Sequence, residues 1–186
     1  PLQKAAGSDE LALPAGMLLI TALTHTGDYV EAVRAADRIL STDPDNWMAL
    51  AGRAQANLVA SNPEATLADA DHLLRLDPQD IRALVVRTGA LADLGRLDEA
   101  EATQLELERV ATATGNTVRA GRSCAARGVL FMKTDRPDEA REAFASCIDT
   151  YPDSPVVRTQ ATDFFVAQGD FATAAELWQA AVEADP

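Results

Sequence analysis

Asp43-Pro44 and Asp77-Pro78 lie 34 residues apart, and Pro152 and Pro186 are separated by the same interval. A fixed period of this length is the strongest constraint in the chain. Each period must be one supersecondary unit that buries its apolar face only by stacking on its neighbours. The segments that these prolines close also open alike. Gly27-Asp28-Tyr29-Val30-Glu31-Ala32, Gly95-Arg96-Leu97-Asp98-Glu99-Ala100, Asp135-Arg136-Pro137-Asp138-Glu139-Ala140 and Gly169-Asp170-Phe171-Ala172-Thr173-Ala174 are four copies, and Ser61-Asn62-Pro63-Glu64-Ala65-Thr66 is a weaker fifth. Apolar residues on either side of these openings recur at helical spacing, as in Leu19, Ile20 and Leu23 or Ala36, Ile39 and Leu40. The glycine between two periodic runs ends one helix and permits a tight turn. Asp-Pro then stops the second helix, because proline lacks an N–H and disfavours a helical residue before it. Runs of β-branched and aromatic residues suited to strands are missing, so no sheet is expected.

This pattern resembles the tetratricopeptide repeat family, whose unit is a pair of antiparallel helices. The resemblance implies an all-α, right-handed α-solenoid with units at 13–46, 47–80, 81–120, 121–154 and 155–186. Residues 1–12 would be the end of a preceding unit, which makes the chain, on this expectation, a piece of a longer repeat protein. The family's turn glycine falls on Gly27, Gly95 and Gly169. Its small contact residue falls on Ala32, Ala100, Ala140 and Ala174, with Thr66 standing in the second unit. Its tryptophan positions hold Gly16, Leu50, Leu84, Cys124 and Arg158 instead. The third unit is longer: Ala100 and Ala140 are 40 residues apart. The extra residues lie near Ala111 to Asn116, and the absence of breakers in 106–113 and 118–126 favours longer helices over a longer loop.

In this family the first helix of each pair lines a concave groove. Carried over by position, the lining would be Met17, Thr21, Met48, Ala51, Gln55, Arg82, Val85, Gly89, Arg122, Ala125, Val129, Thr159 and Asp163. Small and apolar side chains with two arginines suit an extended peptide or an amphipathic helix. Met17, Thr21 and Gly52 stand where some relatives carry lysine and asparagine to hold a partner's terminal carboxylate, so that mode of recognition is not expected. The resemblance therefore implies a non-catalytic scaffold for a protein or peptide partner. The alternative is a regulatory or substrate-presenting segment of a larger bacterial enzyme or of an envelope or polysaccharide-export assembly.

Composition removes other classes. The 29 acidic residues outweigh 16 basic ones for a net charge of −13, the reverse of what phosphate neutralisation needs, so no nucleic-acid partner is expected. The apolar run Met17 to Leu23 is far shorter than the roughly 18 residues of a membrane span, so no membrane insertion of this segment is expected. No phosphate-cradling glycine loop and no nucleophile elbow occur, no acid–base or nucleophile–base pair can be assembled, and no cofactor is implied. His25 reads as a favourable charge at a helix C-terminus. His72 and Asp69 are helical neighbours but supply two ligands where a metal wants about four, so no metal is expected. Arg53, Arg87 and Arg127 recur in phase, either covering apolar surface and pairing with helix acids or forming a cationic rail. Cys124 and Cys147 lie at adjoining ends of one hairpin. They are either two small core residues or a disulfide, and the latter implies an oxidising compartment. Bacterial cytoplasm and periplasm both stay open.

Overall fold

The computed structural model describes residues 12–184, and among these every regular element is a helix. In chain order they are α1 (Ala12–Thr26), α2 (Tyr29–Leu40), α3 (Trp47–Val59), α4 (Pro63–Leu76), α5 (Ile81–Asp93), α6 (Leu97–Ala113), α7 (Thr117–Lys133), α8 (Pro137–Thr150), α9 (Pro155–Ala167) and α10 (Phe171–Ala184). The proposed end of a preceding unit lies outside the described residues, apart from Ala12, which opens α1.

Local chemistry accounts for where the helices begin. The side chains of Asn46, Asp80, Asn116 and Ser154 accept backbone N–H bonds at the starts of α3, α5, α7 and α9, satisfying donors that the first turn leaves orphaned. Pro63 and Pro137 open α4 and α8, where their missing N–H costs nothing. The turn within each pair puts one residue in the left-handed region. Gly27, Gly95 and Gly169 fill that place with φ of 84°, 70° and 74°, and Ser61 and Asp135 fill it with 57° and 58°.

The extra length of the third unit goes into helices: α6 and α7 have 17 residues each. Gly115 (φ 67°) and Asn116 make the turn between them. The boundary expected at 120/121 therefore falls inside α7, which starts four residues earlier, at Thr117.

The chain divides between Ala100 and Glu101 into two compact units. In the first unit, Leu19, Ile20, Ala35, Ala36 and Ile39 pack α1 on α2. Leu50, Leu73 and Ala83 join α3, α4 and α5. In the second unit, Phe144, Phe164 and Phe165 dominate the core beside Cys124 and Cys147. The Phe144 and Phe164 ring centroids are 5.3 Å apart. Cys124 on α7 and Cys147 on α8 are joined as a disulfide with Cα atoms 5.8 Å apart. The small contact residues Ala32, Ala100, Ala140 and Ala174 are all buried. Thr66 is buried as well, and its hydroxyl donates to the Asn62 carbonyl at 3.0 Å, which removes the cost of placing a polar atom at a helix contact.

Candidate functional site

The exposed faces of the first helices carry most of the residues expected to line a groove. In the first unit, Thr21, Met48, Gln55, Arg82 and Val85 are exposed, and Ala51 and Gly89 are half-buried between them. Three of these converge. Thr21, Met48 and Gln55 share a depression of about 170 Å³ with Ile20, Thr24, His25 and Gly52. Gly52 sits where the two helices come closest, since a Cβ there would come within 2.6 Å of Ile20 Cγ2. His25 also caps its own helix, with Nδ1 2.8 Å from the Thr21 carbonyl oxygen. The side chain of Met17 lies outside the described residues.

Arg82 is held at the start of α5. Its guanidinium lies 4.3 Å from the centroid of the Trp47 ring, a contact worth about 0.5–1 kcal/mol at an exposed site. The Trp47 indole N–H donates to Asp80. The other oxygen of Asp80 accepts the Arg82 and Ala83 amides at 2.8 and 3.1 Å. Trp47 and Asp80 are neighbours of Arg82 that no single position in the sequence pointed to. The signal lay in the repeat phase, because the cap before α5 falls 34 residues after Asn46, the cap before α3.

In the second unit, Arg122 and Val129 on α7 and Thr159 and Asp163 on α9 are exposed. Ala125 is not. It is fully buried in the core cluster with Cys124 and Phe144 and presents no surface to a ligand.

The in-phase arginines are engaged with acids. Arg53 donates from Nε and Nη2 to both oxygens of Asp69 at 2.9 and 2.6 Å, and from Nη1 to Asp37 at 2.5 Å. The Asp69 hydrogen bonds hold its guanidinium even more firmly protonated than usual. Arg87 Nε donates to Asp71 at 2.8 Å. Arg127 Nη1 lies 3.5 Å from Glu108, whose carboxyl is pushed up by burial, against the opposing pull of Arg127. Asp69 is thus turned to Arg53 and not to His72, which meets Asp45 at 2.7 Å. Among the described residues no three His, Cys, Asp or Glu side chains gather as a metal site. Among them, too, no helix is long and apolar enough to cross a membrane.

Comparison with known proteins agrees with this architecture. The tetratricopeptide repeat pattern matches residues 17–81 and again residues 126–154. Protein STIP1 homolog of Dictyostelium discoideum is 34% identical over 74 residues, which is 40% of this chain and 13% of that protein. Among solved structures, the tetratricopeptide protein TTC0263 of Thermus thermophilus aligns with a TM-score of 0.67 at 20% identity, over 92% of this chain and 90% of that one. PilF of Pseudomonas aeruginosa aligns at 0.67 and 18%, over 100% and 78%. A tetratricopeptide repeat protein of Parabacteroides merdae aligns at 0.69 and 22%, over 91% and 64%. The chain belongs to the tetratricopeptide repeat family, and its fold is the all-α solenoid class built from antiparallel helix pairs. Such repeats are in general non-catalytic modules for protein–protein interaction.

Proposed function

We propose that this segment is a non-catalytic scaffold that takes a peptide or short helix of a protein partner on the exposed faces of its first helices. The observation that carries the reading is the convergence of Thr21, Met48 and Gln55 on one depression, with Val85 and Arg82 exposed on α5 of the same unit. Methionine adapts its shape to an apolar side chain. Ala51, small and half-buried, leaves room for a backbone to approach. Arg82, steadied on Trp47, offers a fixed cation to an acidic group, and Arg122 offers one in the second unit. Neither has an ion-pair partner among the described residues. The test is affinity capture from a lysate of the source organism with wild type beside the Arg82→Glu, Arg122→Glu variant, folding being verified by circular dichroism. A partner held by wild type and lost by the folded variant supports the assignment. Equal retention by both discards it.

A further inference from the structure

The second unit carries a groove of about 480 Å³ between α6, α7 and α8, lined by none of the residues expected on the first-helix faces. The first unit has its counterpart, a groove of about 250 Å³ between α2, α3 and α4. The two match position by position, and the exchanges between them are reciprocal, acid for apolar and apolar for acid. In the first groove exposed Asp37 and buried Asp69 clamp Arg53, and Val33, Ala65 and Ala68 complete the lining. In the second groove Leu105 and Ala143 occupy the positions of Asp37 and Asp69, and Glu101, Glu139 and Glu142 occupy those of Val33, Ala65 and Ala68.

The exchange changes what the groove can hold. Arg127 occupies the place of Arg53 but finds an alanine where the clamping carboxylate would be. Among the described residues its Nε is buried with no hydrogen-bond partner, and its charge is met only by Glu108 at 3.5 Å. With Ala143 in place of an aspartate and Ser146 in place of His72, the interior is wide and its walls are Leu105, Leu130 and Phe131. Leu105 is 56% exposed, an apolar side chain with much of its surface in water. Around this interior, Glu101, Glu108, Glu139 and Glu142 face two cations, Arg127 and Arg136, which leaves a net charge of −2. Arg136 is committed to Glu101 and Glu139. Glu142 has no ion-pair partner among the described residues.

We infer that this second-helix groove is a separate docking surface for a partner segment that alternates apolar and basic side chains, the apolar one entering between Leu105, Leu130 and Phe131 and a lysine or arginine meeting Glu142. The charge balance selects a basic occupant, since Glu142 is the one lining acid without an ion-pair partner among the described residues. The inference does not depend on the first-helix faces.

Three end-blocked hexapeptides test it on the full chain by amide NMR shifts and fluorescence titration: alternating leucine and lysine, alternating leucine and glutamate, and alternating serine and lysine. The leucine–lysine peptide should bind, with shifts concentrated in 101–113, 127–131 and 139–146, and the other two at least about tenfold more weakly. Ala143→Asp should rebuild the Arg53–Asp69 clamp at Arg127, narrow the interior and weaken binding by a similar factor. Glu142→Lys, at an exposed position, should do the same without touching the core, and it decides the matter if Ala143→Asp fails to fold. Failure of the leucine–lysine peptide to bind, shifts confined to other helices, or undiminished binding by Glu142→Lys would overturn the inference. Equal or tighter binding of the leucine–glutamate peptide would overturn it too, by making Arg127 the recognising group. Equal binding of serine–lysine would reduce it to unspecific charge attraction.

Discussion

Replacing Gly128 by alanine isolates how tightly α7 and α8 are pressed together. A Cβ at this position would lie 2.6, 2.7 and 2.7 Å from three atoms of the Phe144 ring, well inside the 3.5–4.0 Å of a favourable carbon contact. The ring has little room to retreat. Phe144 is completely buried, packs at a tilt against Phe164, and sits in the cluster that holds the Cys124–Cys147 bridge. Overpacking of this kind costs about 1–3 kcal/mol, while alanine in a helix interior returns about 0.5–1 kcal/mol relative to glycine. With three ring atoms in collision the overpacking falls in the upper half of its range, and the expected net loss is about 1–2.5 kcal/mol. Gly89 on α5 supplies the control. There the nearest atom is the tip of Leu58, 3.3 Å away, on a flexible side chain, so Gly89→Ala should be neutral or stabilising by up to about 0.5 kcal/mol. At about 2–4 °C per kcal/mol for a chain of this size, thermal melts followed by circular dichroism separate the two outcomes. A double-mutant cycle with Phe144→Leu then assigns the cause, because the cost of Gly128→Ala should shrink once the ring is gone. A Gly128→Ala protein as stable as wild type, or costs that simply add in the cycle, would refute the close-packing argument.

Three further outcomes are expected. Removing the Cys124–Cys147 bridge by the double alanine variant should destabilise the second unit by about 3 kcal/mol, the chain-entropy value for a loop of this length; indistinguishable melts with and without reductant would show that the bridge contributes nothing. Arg53→Ala should cost about 3 kcal/mol, because it leaves the Asp69 carboxylate buried and uncompensated, whereas Arg34→Ala, at an exposed pair, should cost under about 0.5 kcal/mol; similar losses at both sites in urea titrations would contradict this. The Asp170 carboxyl is held below its ordinary range first by Arg141 and then by the Thr173 amide. A depressed native value stabilises the fold above the unfolded value and is lost as pH falls through the native one. Arg141→Ala should therefore move the Asp170 carbon-13 titration upward while leaving the Thr173 part of the shift, and an unmoved midpoint would remove Arg141 as the cause.

Much of this architecture is written in local chemistry, which is why a single sequence discloses it. Asp-Pro pairs, cap residues and turn positions act within a few residues of themselves, and a 34-residue period states them several times over. Even the imperfect copies obey. Ser61 and Asp135 take the left-handed turn conformation where the other units place glycine, at an intrinsic cost of about 1–2 kcal/mol, because the helices on either side leave the chain no other path. The six-residue lengthening of the third unit was legible for the same reason: no breaker interrupts either flank, and α6 and α7 absorb it.

The surfaces were only partly legible. Arg122 and Val129 are exposed while Ala125, one helical turn from both, is sealed in the core. That difference depends on how α7 packs into the core of the second unit, which no residue of α7 announces. Periodicity alone left Arg53, Arg87 and Arg127 identical; tertiary packing made them different. Arg53 meets a carboxylate from the following helix, and Arg127 meets Ala143 at the same place and leaves a groove beside it. Likewise, the raised carboxyl of Glu108 comes from burial between helices and not from its neighbours in the chain. Sequence determined where the helices start, stop and turn, because those are short-range choices of backbone conformation. Tertiary structure decided which side chains meet, which charges are matched and which hollows stay open, because those depend on contacts between residues 16 or more positions apart on separate helices.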